Sequence, residues 1–342
     1  MKEMTLSQIK QLLTRAATPF VGEPDAGVFA GLYLDAHLKK YPRMNPLQEA
    51  VNDLNAWKNI MDKAPNTAPK LLVDKESVLV FDFQGLPPSL KMPAIHADLE
   101  RRAKKNGLAA AGINNSGGII TLGMCADGLA QRDLIGIAMF NGGTQCCVPV
   151  GGCKGVLGTN PLCYAVPTAK DPLLLDMSTT EVPFFDVRVA KEKGEPLPAG
   201  VAVDSLGQPT TDAAAALGDD GVANLLPMGG GFKGYGIVML IEILTGSLVQ
   251  SLMSTHQTSG WNPHEYGCFI LAIDIAGFTD IHTFKSSVTK MCDELRSMPP
   301  AQGFDSVTIP GDRSMSRVKE ALSKGAIPVE DSLMEALLLL AG

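Results

Sequence analysis

The chain has 342 residues, 45% hydrophobic and 19% charged, and 36 acidic against 29 basic side chains give a net charge of −7. That length supports two or three compact units, and that composition excludes a disordered chain. The negative balance argues against nucleic acid as a main partner. Thr5-Leu6-Ser7-Gln8 reads as a capping box that opens an amphipathic helix through Ile9, Leu12, Leu13 and Ala16. Met1-Lys2-Glu3-Met4-Thr5 leads straight into it, which predicts no signal peptide and a cytoplasmic protein. A second helix runs from near Pro24 towards His37, punctuated by Pro42 and Pro46, and residues 47–70 read as helix and then loop. Alternating material follows: strand at Val78–Phe83, helix at Ser89–Asn106 closed by Gly107, strand at Leu108–Ile113, helix over 121–132, strand at Leu134–Phe140. Strands alternating with helices imply a layered sheet.

The middle of the chain is richer in turns, around Gly151–Gly155, Leu157–Pro161 and Gly194–Gly200. A strand, Leu173–Asp176, ends in Met177-Ser178-Thr179-Thr180. Later come a strand at Cys268–Asp274, a helix over 283–297, a short strand at Asp305–Ile309 and two closing helices, the last at Asp331–Leu340. The longest apolar run, Tyr235–Met253, is long enough for a helix of about five turns. Glu242 at its centre, two glycines and the lack of a second such run make it a buried core helix, not a membrane span. The seven cysteines contain no C-x-x-C and indicate reduced thiols, and no His/Cys cluster has metal-ligand spacing.

Ahead of that run stands Gly229-Gly230-Gly231-Phe232-Lys233-Gly234. A glycine loop with a lysine at a helix start offers free N–H groups and the positive end of a dipole to an anion. It also serves a helix that must pack tightly, and pattern alone leaves both readings open. G-x-G-x-x-G is satisfied, but no strand precedes it and no acidic residue follows about 20 positions on, so it is not a Rossmann fingerprint.

Taken together, Leu157-Gly158-Thr159-Asn160-Pro161, Leu175-Asp176-Met177-Ser178-Thr179, Gly194-Glu195-Pro196 and Asp204 to Asp212 resemble the malate/L-lactate dehydrogenase family of the non-Rossmann type. Phe232-Lys233-Gly234-Tyr235-Gly236, Ile270–Asp274 and Pro310-Gly311-Asp312-Arg313 continue the match in the same order over nearly the whole chain. The family includes ureidoglycolate and sulfolactate dehydrogenases, diketogulonate reductases and piperideine-2-carboxylate reductases. The resemblance implies an α/β, mixed-sheet, non-Rossmann fold with a helical N-terminal arm and C-terminal helices. It implies a helical arm over residues 1–75, an α/β segment on the substrate side over 76–140, a dinucleotide-binding domain over 141–300 and a C-terminal helical segment over 301–342. It also implies NAD or NADP as cofactor, a small carboxylate as substrate, no metal and a homodimer. The dinucleotide is expected against Asp176, Met177, Ser178, Thr179, Phe232, Lys233, Gly234, Gly311, Asp312 and Gly142.

Hydride transfer to a carbonyl or imine needs a proton donor and a group that holds the substrate carboxylate. The family's Asp-Ser-His-Gly-x-x-Arg segment corresponds to Asp35-Ala36-His37-Leu38-Lys39-Lys40-Tyr41. His37 is kept as the expected proton donor, with Asp176 as its orienting partner. The arginine position falls on Tyr41, and Lys40 and Arg43 are the nearby cations that can take its place, without a bidentate fork in the case of lysine. Thr159 is the expected further substrate contact. The family's second histidine falls on Gly118, and Asn141-Gly142 replaces a frequent Asn-Ser. Cys147-Val148-Pro149 resembles the piperideine-reductase branch. His96 reads as a structural helix residue, His256 and His264 as exposed loop residues, His282 as a surface residue and Glu242 as a packed acid. The expected activity is reduction of a small 2-oxo acid or a cyclic 2-imino acid. The alternative is a dinucleotide-binding relative whose catalysis is lost or altered, acting as a sensor or scaffold.

Overall fold

A computed structural model describes residues 1–39, 45–119, 121–142, 145–218, 221–257 and 265–342. The N-terminal part comprises β1 (Lys2–Thr5), α1 (Leu6–Val21), α2 (Asp25–Leu38) and α3 (Pro46–Lys63). The capping box is present: Gln8 N–H donates to Thr5 Oγ1 at 3.2 Å and Thr5 N–H to Gln8 Oε1 at 2.9 Å. Next come β2 (Lys70–Lys75), β3 (Val78–Asp82), α4 (Met92–Asn106), β4 (Leu108–Ser116), α5 (Gly123–Ala130), β5 (Leu134–Phe140), β6 (Leu162–Val166) and β7 (Leu173–Met177). A smaller lobe holds α6 (Phe184–Lys193), β8 (Ala202–Val203), β9 (Pro209–Thr210) and α7 (Ala213–Ala216). The chain finishes with α8 (Phe232–Glu242), β10 (Tyr266–Asp274), α9 (Ile281–Arg296), α10 (Asp312–Lys324), β11 (Ala326–Val329) and α11 (Asp331–Ala341).

Seven strands form one mixed sheet in the order β2-β3-β4-β10-β5-β6-β7. Only β3 and β4 pair in parallel. The main core lies between this sheet and the helices, with Leu79, Ala111, Ile113, Ala138 and Ile270 meeting Leu90, Ile95, Leu99 and Leu129. A second core holds the smaller lobe together, through Val187, Leu197, Ala202, Ala216 and Leu225. The expected boundary near residue 140 falls between β5 and β6, which pair antiparallel within the same sheet. Among the described residues no helix is long and apolar enough to cross a membrane.

The sequence reading did not include β2, β6, α6 or the short elements of the smaller lobe, and three further differences have a visible cause. The short β1 pairs with β11 in a ladder from Lys2↔Val329 to Thr5↔Ala326, tying the helical arm to the C-terminus. Neither four-residue segment carries a period long enough to announce a strand. The expected strand at Asp305–Ile309 is not a strand, because Ile309 N–H is taken by the Asp312 carboxylate at 3.0 Å and not by a ladder partner. The run Tyr235–Met253 is not one helix: α8 ends at Glu242 and continues as a π-helical turn over Ile243–Ser247. Thr245 Oγ1 bonds back to Ile241 O at 2.6 Å, and a Cβ at Gly267 of β10 would lie 1.8 Å from Thr245 O. Close approach of helix and sheet accompanies the change of pitch, the kind of local departure that clusters at functional sites.

Candidate active site

The Leu157–Pro161 loop is built backbone by backbone. Asn160 is fully buried with φ +37°, and a Cβ at Gly158 would lie 2.6 Å from Asn160 Oδ1, so position 158 admits only glycine without a shift. Thr159 O accepts from Thr179 N–H at 2.9 Å and from Thr179 Oγ1 at 3.1 Å, and Asn160 O accepts from the same hydroxyl at 2.9 Å. Thr159 Oγ1 sits 3.4 Å from Gly142 O. Thr159, Thr179 and Gly142, remote in sequence, are therefore one cluster. A Cβ at Gly142 would lie 1.5 Å from the Phe140 ring, so glycine fits there without a shift of that ring.

Beyond β7, the Ser178–Glu181 segment runs alongside the approach to the glycine loop, with Met228 N–H donating to Thr179 O at 2.8 Å and Glu181 N–H to Leu226 O at 3.0 Å. Gly229 and Gly230 take φ of +72° and +61°, conformations that favour glycine, and Gly231 is extended at the N-terminus of α8. Among the described residues no side chain caps that N-terminus. Phe232 is 79% exposed and Lys233 is exposed, while a Cβ at Gly234 would lie 1.9 Å from Met228 O. Gly234 is the residue that lets the helix pack tightly, Gly230 N–H is taken by Pro227 O at 2.9 Å, and Phe232 and Lys233 in the first turn are exposed. These groups fit a dinucleotide, whose pyrophosphate suits an uncapped helix N-terminus with a lysine and whose rings suit an exposed apolar side chain.

Asp176 of β7 and Lys39 at the end of α2 both bond to α5. Asp176 Oδ2 accepts from Gly123 N–H, at the start of α5, at 2.7 Å. His37, one residue from the end of α2, is followed by Lys39, whose ammonium lies 2.5 Å from Asp35 and 2.7 Å from Asp127 of α5. Lys39 is 4% exposed, and burial by itself lowers its pKa, but the charges of Asp127 and Asp35 outweigh burial and raise it. The sequence reading passed over Lys39 in favour of Lys40. Its signal was the i, i+4 spacing from Asp35 on a helix, but Asp127 comes from a distant segment.

Gly311 and Asp312 lie at the opposite end of β7 from Thr179. Gly311 has φ +98° and packs 3.2 Å (measured from a Cβ position) from Leu174 N. Asp312 is held by Arg296 through two bonds of 3.1 and 2.7 Å, which lower its pKa. The two residues border a groove of about 440 Å³ lined also by Leu173, Thr289 and Ser316. Lys40, Tyr41, Arg43 and His264 lie outside the described residues. His96 is fully enclosed, and His256 and His282 are exposed. Glu242, read from sequence as a packed acid, is 2% exposed and fully engaged, with Asn160 Nδ2 at 2.7 Å and Ser254 N–H at 2.9 Å. Among the described residues no group of three His, Cys, Asp or Glu is arranged to hold a metal ion.

Residues 56–338 match the malate/L-lactate dehydrogenase family. The chain is 28% identical to a malate dehydrogenase of Pyrococcus abyssi over 98% of its own length and 92% of that protein. It is 39% identical to a Δ1-pyrroline-2-carboxylate/Δ1-piperideine-2-carboxylate reductase of Pseudomonas putida over 46% of each chain. The structure superposes on sulfolactate dehydrogenase from Methanocaldococcus jannaschii with a TM-score of 0.84 at 26% identity, covering 99% of this chain and 96% of that one.

Proposed function

The chain belongs to the malate/L-lactate dehydrogenase family of NAD(P)-dependent oxidoreductases, and from that premise we propose that it reduces a small 2-oxo acid or a cyclic 2-imino acid, with His37 as proton donor. The observation that carries this reading is the single cluster that joins Thr159, Thr179, Gly142 and the Gly229–Gly234 loop. When bound, NADH or NADPH supplies the hydride. Lys233 and the N–H groups that open α8 hold its pyrophosphate, with Asp176–Thr179 along one side. Gly311 and Asp312 extend the cofactor-binding set at the far end of β7.

His37 gives its proton to the oxygen or nitrogen on which negative charge develops, a role suited to imidazole with its ordinary pKa near ~6.5. Asp176 orients that ring. Thr159 contacts the substrate, and Lys40, Tyr41 or Arg43 answers its carboxylate. The protein functions as a homodimer. Exposed apolar side chains on α8 and its π turn, Met239, Leu240 and Ile243, support this, since a large apolar patch is unusual on a monomer.

Oxidation of NADH and NADPH, measured in parallel against pyruvate, oxaloacetate and cyclic 2-imino acids, tests the reading. Turnover of one class is expected, with a loss of at least ~100-fold in His37→Ala. Dinucleotide binding without turnover of any of these acids would overturn it. The second reading, a dinucleotide-binding sensor or scaffold, would then stand, favoured by the changes at Ala36, Leu38, Tyr41 and Gly118 on the substrate side.

A further inference from the structure

Glu242 takes no part in the chemistry above, yet it is buried and bonded through both carboxylate oxygens. Both carboxylate oxygens are satisfied: Oε1 accepts from Asn160 Nδ2 at 2.7 Å and from Ser254 Oγ at 2.5 Å, and Oε2 accepts from Ser254 N–H at 2.9 Å. Ser254 passes the connection on, since its hydroxyl oxygen accepts from Gly158 N–H at 3.1 Å and its carbonyl accepts from Gln145 Nε2 at 2.5 Å. Glu242 therefore grips the two residues on either side of Thr159, one directly and one through Ser254. It does so from the last residue of α8, whose first turn is the proposed pyrophosphate site, and immediately before the π turn.

A buried carboxylate with all its partners in place is costly to disturb, because each broken bond leaves a polar group in the dry interior. Its bonds to Asn160 and Ser254 tie the carboxylate to the loop and not to the open site. We propose that Glu242 is a positioning residue for the substrate side of the site: it fixes the Leu157–Pro161 loop, and with it Thr159, against the helix that carries the dinucleotide. The inference rests on the reading of Thr159 as a substrate contact.

Glu242→Gln tests it. The amide retains an oxygen for Asn160 and sets an NH2 group against Ser254, where two donors then face each other. The expected result is a rise of about tenfold in KM for the acid substrate with a smaller change in kcat, since a displacement well under 1 Å is enough for such a loss. The dissociation constant for the reduced dinucleotide, read by its own fluorescence, is expected to stay within about twofold. Ser254→Ala, which removes one of the three donors and the acceptor for Gly158 N–H, is expected to show the same split at smaller amplitude, and serves if Glu242→Gln does not fold. Amide hydrogen exchange adds a readout independent of turnover: faster exchange in Leu157–Asn160, with α8 unchanged, is expected in both variants. Unchanged KM and unchanged exchange in the loop would overturn the inference, as would an equal loss of dinucleotide and substrate affinity. Failure of the underlying functional reading looks different, since there the unaltered protein itself turns over none of the acids.

Discussion

The His96 ring is wholly enclosed between α4 and α5, with Nε2–H donating to Cys125 O at 3.0 Å and Gly128 leaving room for it. Burial lowers its pKa to about 4 from an ordinary 6.5. The folded protein therefore refuses a proton that the unfolded chain accepts, and stability is lost as pH falls from 6.5 towards 4, by up to ~3 kcal/mol. Asp53 is the reverse. It is buried and accepts from Ser89 Oγ at 2.5 Å and from the Tyr33 hydroxyl, and burial raises its pKa to about 7 from 3.8 despite those bonds. There the folded protein retains a proton that the unfolded chain has released, so stability is lost as pH rises from 3.8 to 7, by an amount of the same order. Across pH 4 to 6.5 the two effects oppose each other. Urea unfolding of His96→Gln and Asp53→Asn from pH 4 to 7 is expected to separate them: relative to the unaltered protein, Asp53→Asn gains stability with rising pH and His96→Gln gains it with falling pH. Parallel curves would refute both assignments. Lys39→Met leaves buried Asp127 without its ammonium partner, while Asp35 is partly exposed to water, and a loss of about 3 kcal/mol in the same assay is expected. His96 was legible in the sequence as structural from its place in an amphipathic helix. Lys39 was not, because half of its environment comes from α5.

At the scale of elements, the turn into α8 and the Asn141-Gly142 dipeptide are both decided by where no Cβ fits. Gly234→Ala places a methyl group 1.9 Å from the Met228 carbonyl oxygen, so the helix start must shift away from the glycine loop. Dinucleotide fluorescence titration is expected to show at least a tenfold loss of affinity, roughly 1.4 kcal/mol or more, with a folded circular dichroism spectrum. Unaltered affinity would mean that the loop does not carry the pyrophosphate. Gly142→Ser meets the Phe140 ring and is expected to lower the unfolding midpoint, by the order of 1–3 kcal/mol typical of overpacking. Phe140→Val in the same chain is expected to recover part of that loss. The glycine loop could be read from sequence because glycine, lysine and a helix stand next to one another. The Phe140–Gly142 pairing could not, since nothing in a dipeptide reports which way a ring two residues away will turn.

At the scale of the whole molecule, the sheet order and the exposed stripe on α8 matter most. The stripe repeats at helical spacing over Met239, Leu240 and Ile243, all exposed. Light scattering coupled to size exclusion is expected to give a dimer for the unaltered protein and a monomer for Leu240→Glu combined with Ile243→Glu. A monomer before substitution would show that the stripe serves something else. The two chain ends meet in the β1–β11 ladder, so the helical arm is not an appendage: α1 and α3 pack on α11 within the main core.

The sequence by itself determined most of the helices and the apolar strands, through hydrophobic period and capping, and the order of short motifs was enough to recognise the family. Those signals are local, and each survives in a string of letters because neighbouring residues carry it. The tertiary structure alone decided that β10 enters the sheet between β4 and β5, that Tyr235–Met253 breaks into a helix and a π turn, and that Glu242, Asn160 and Ser254 meet. Those outcomes depend on which distant segments approach, because hydrogen-bond partners, steric limits on a Cβ and the electrostatics of a buried charge are fixed by the assembled interior and not by spacing along the chain.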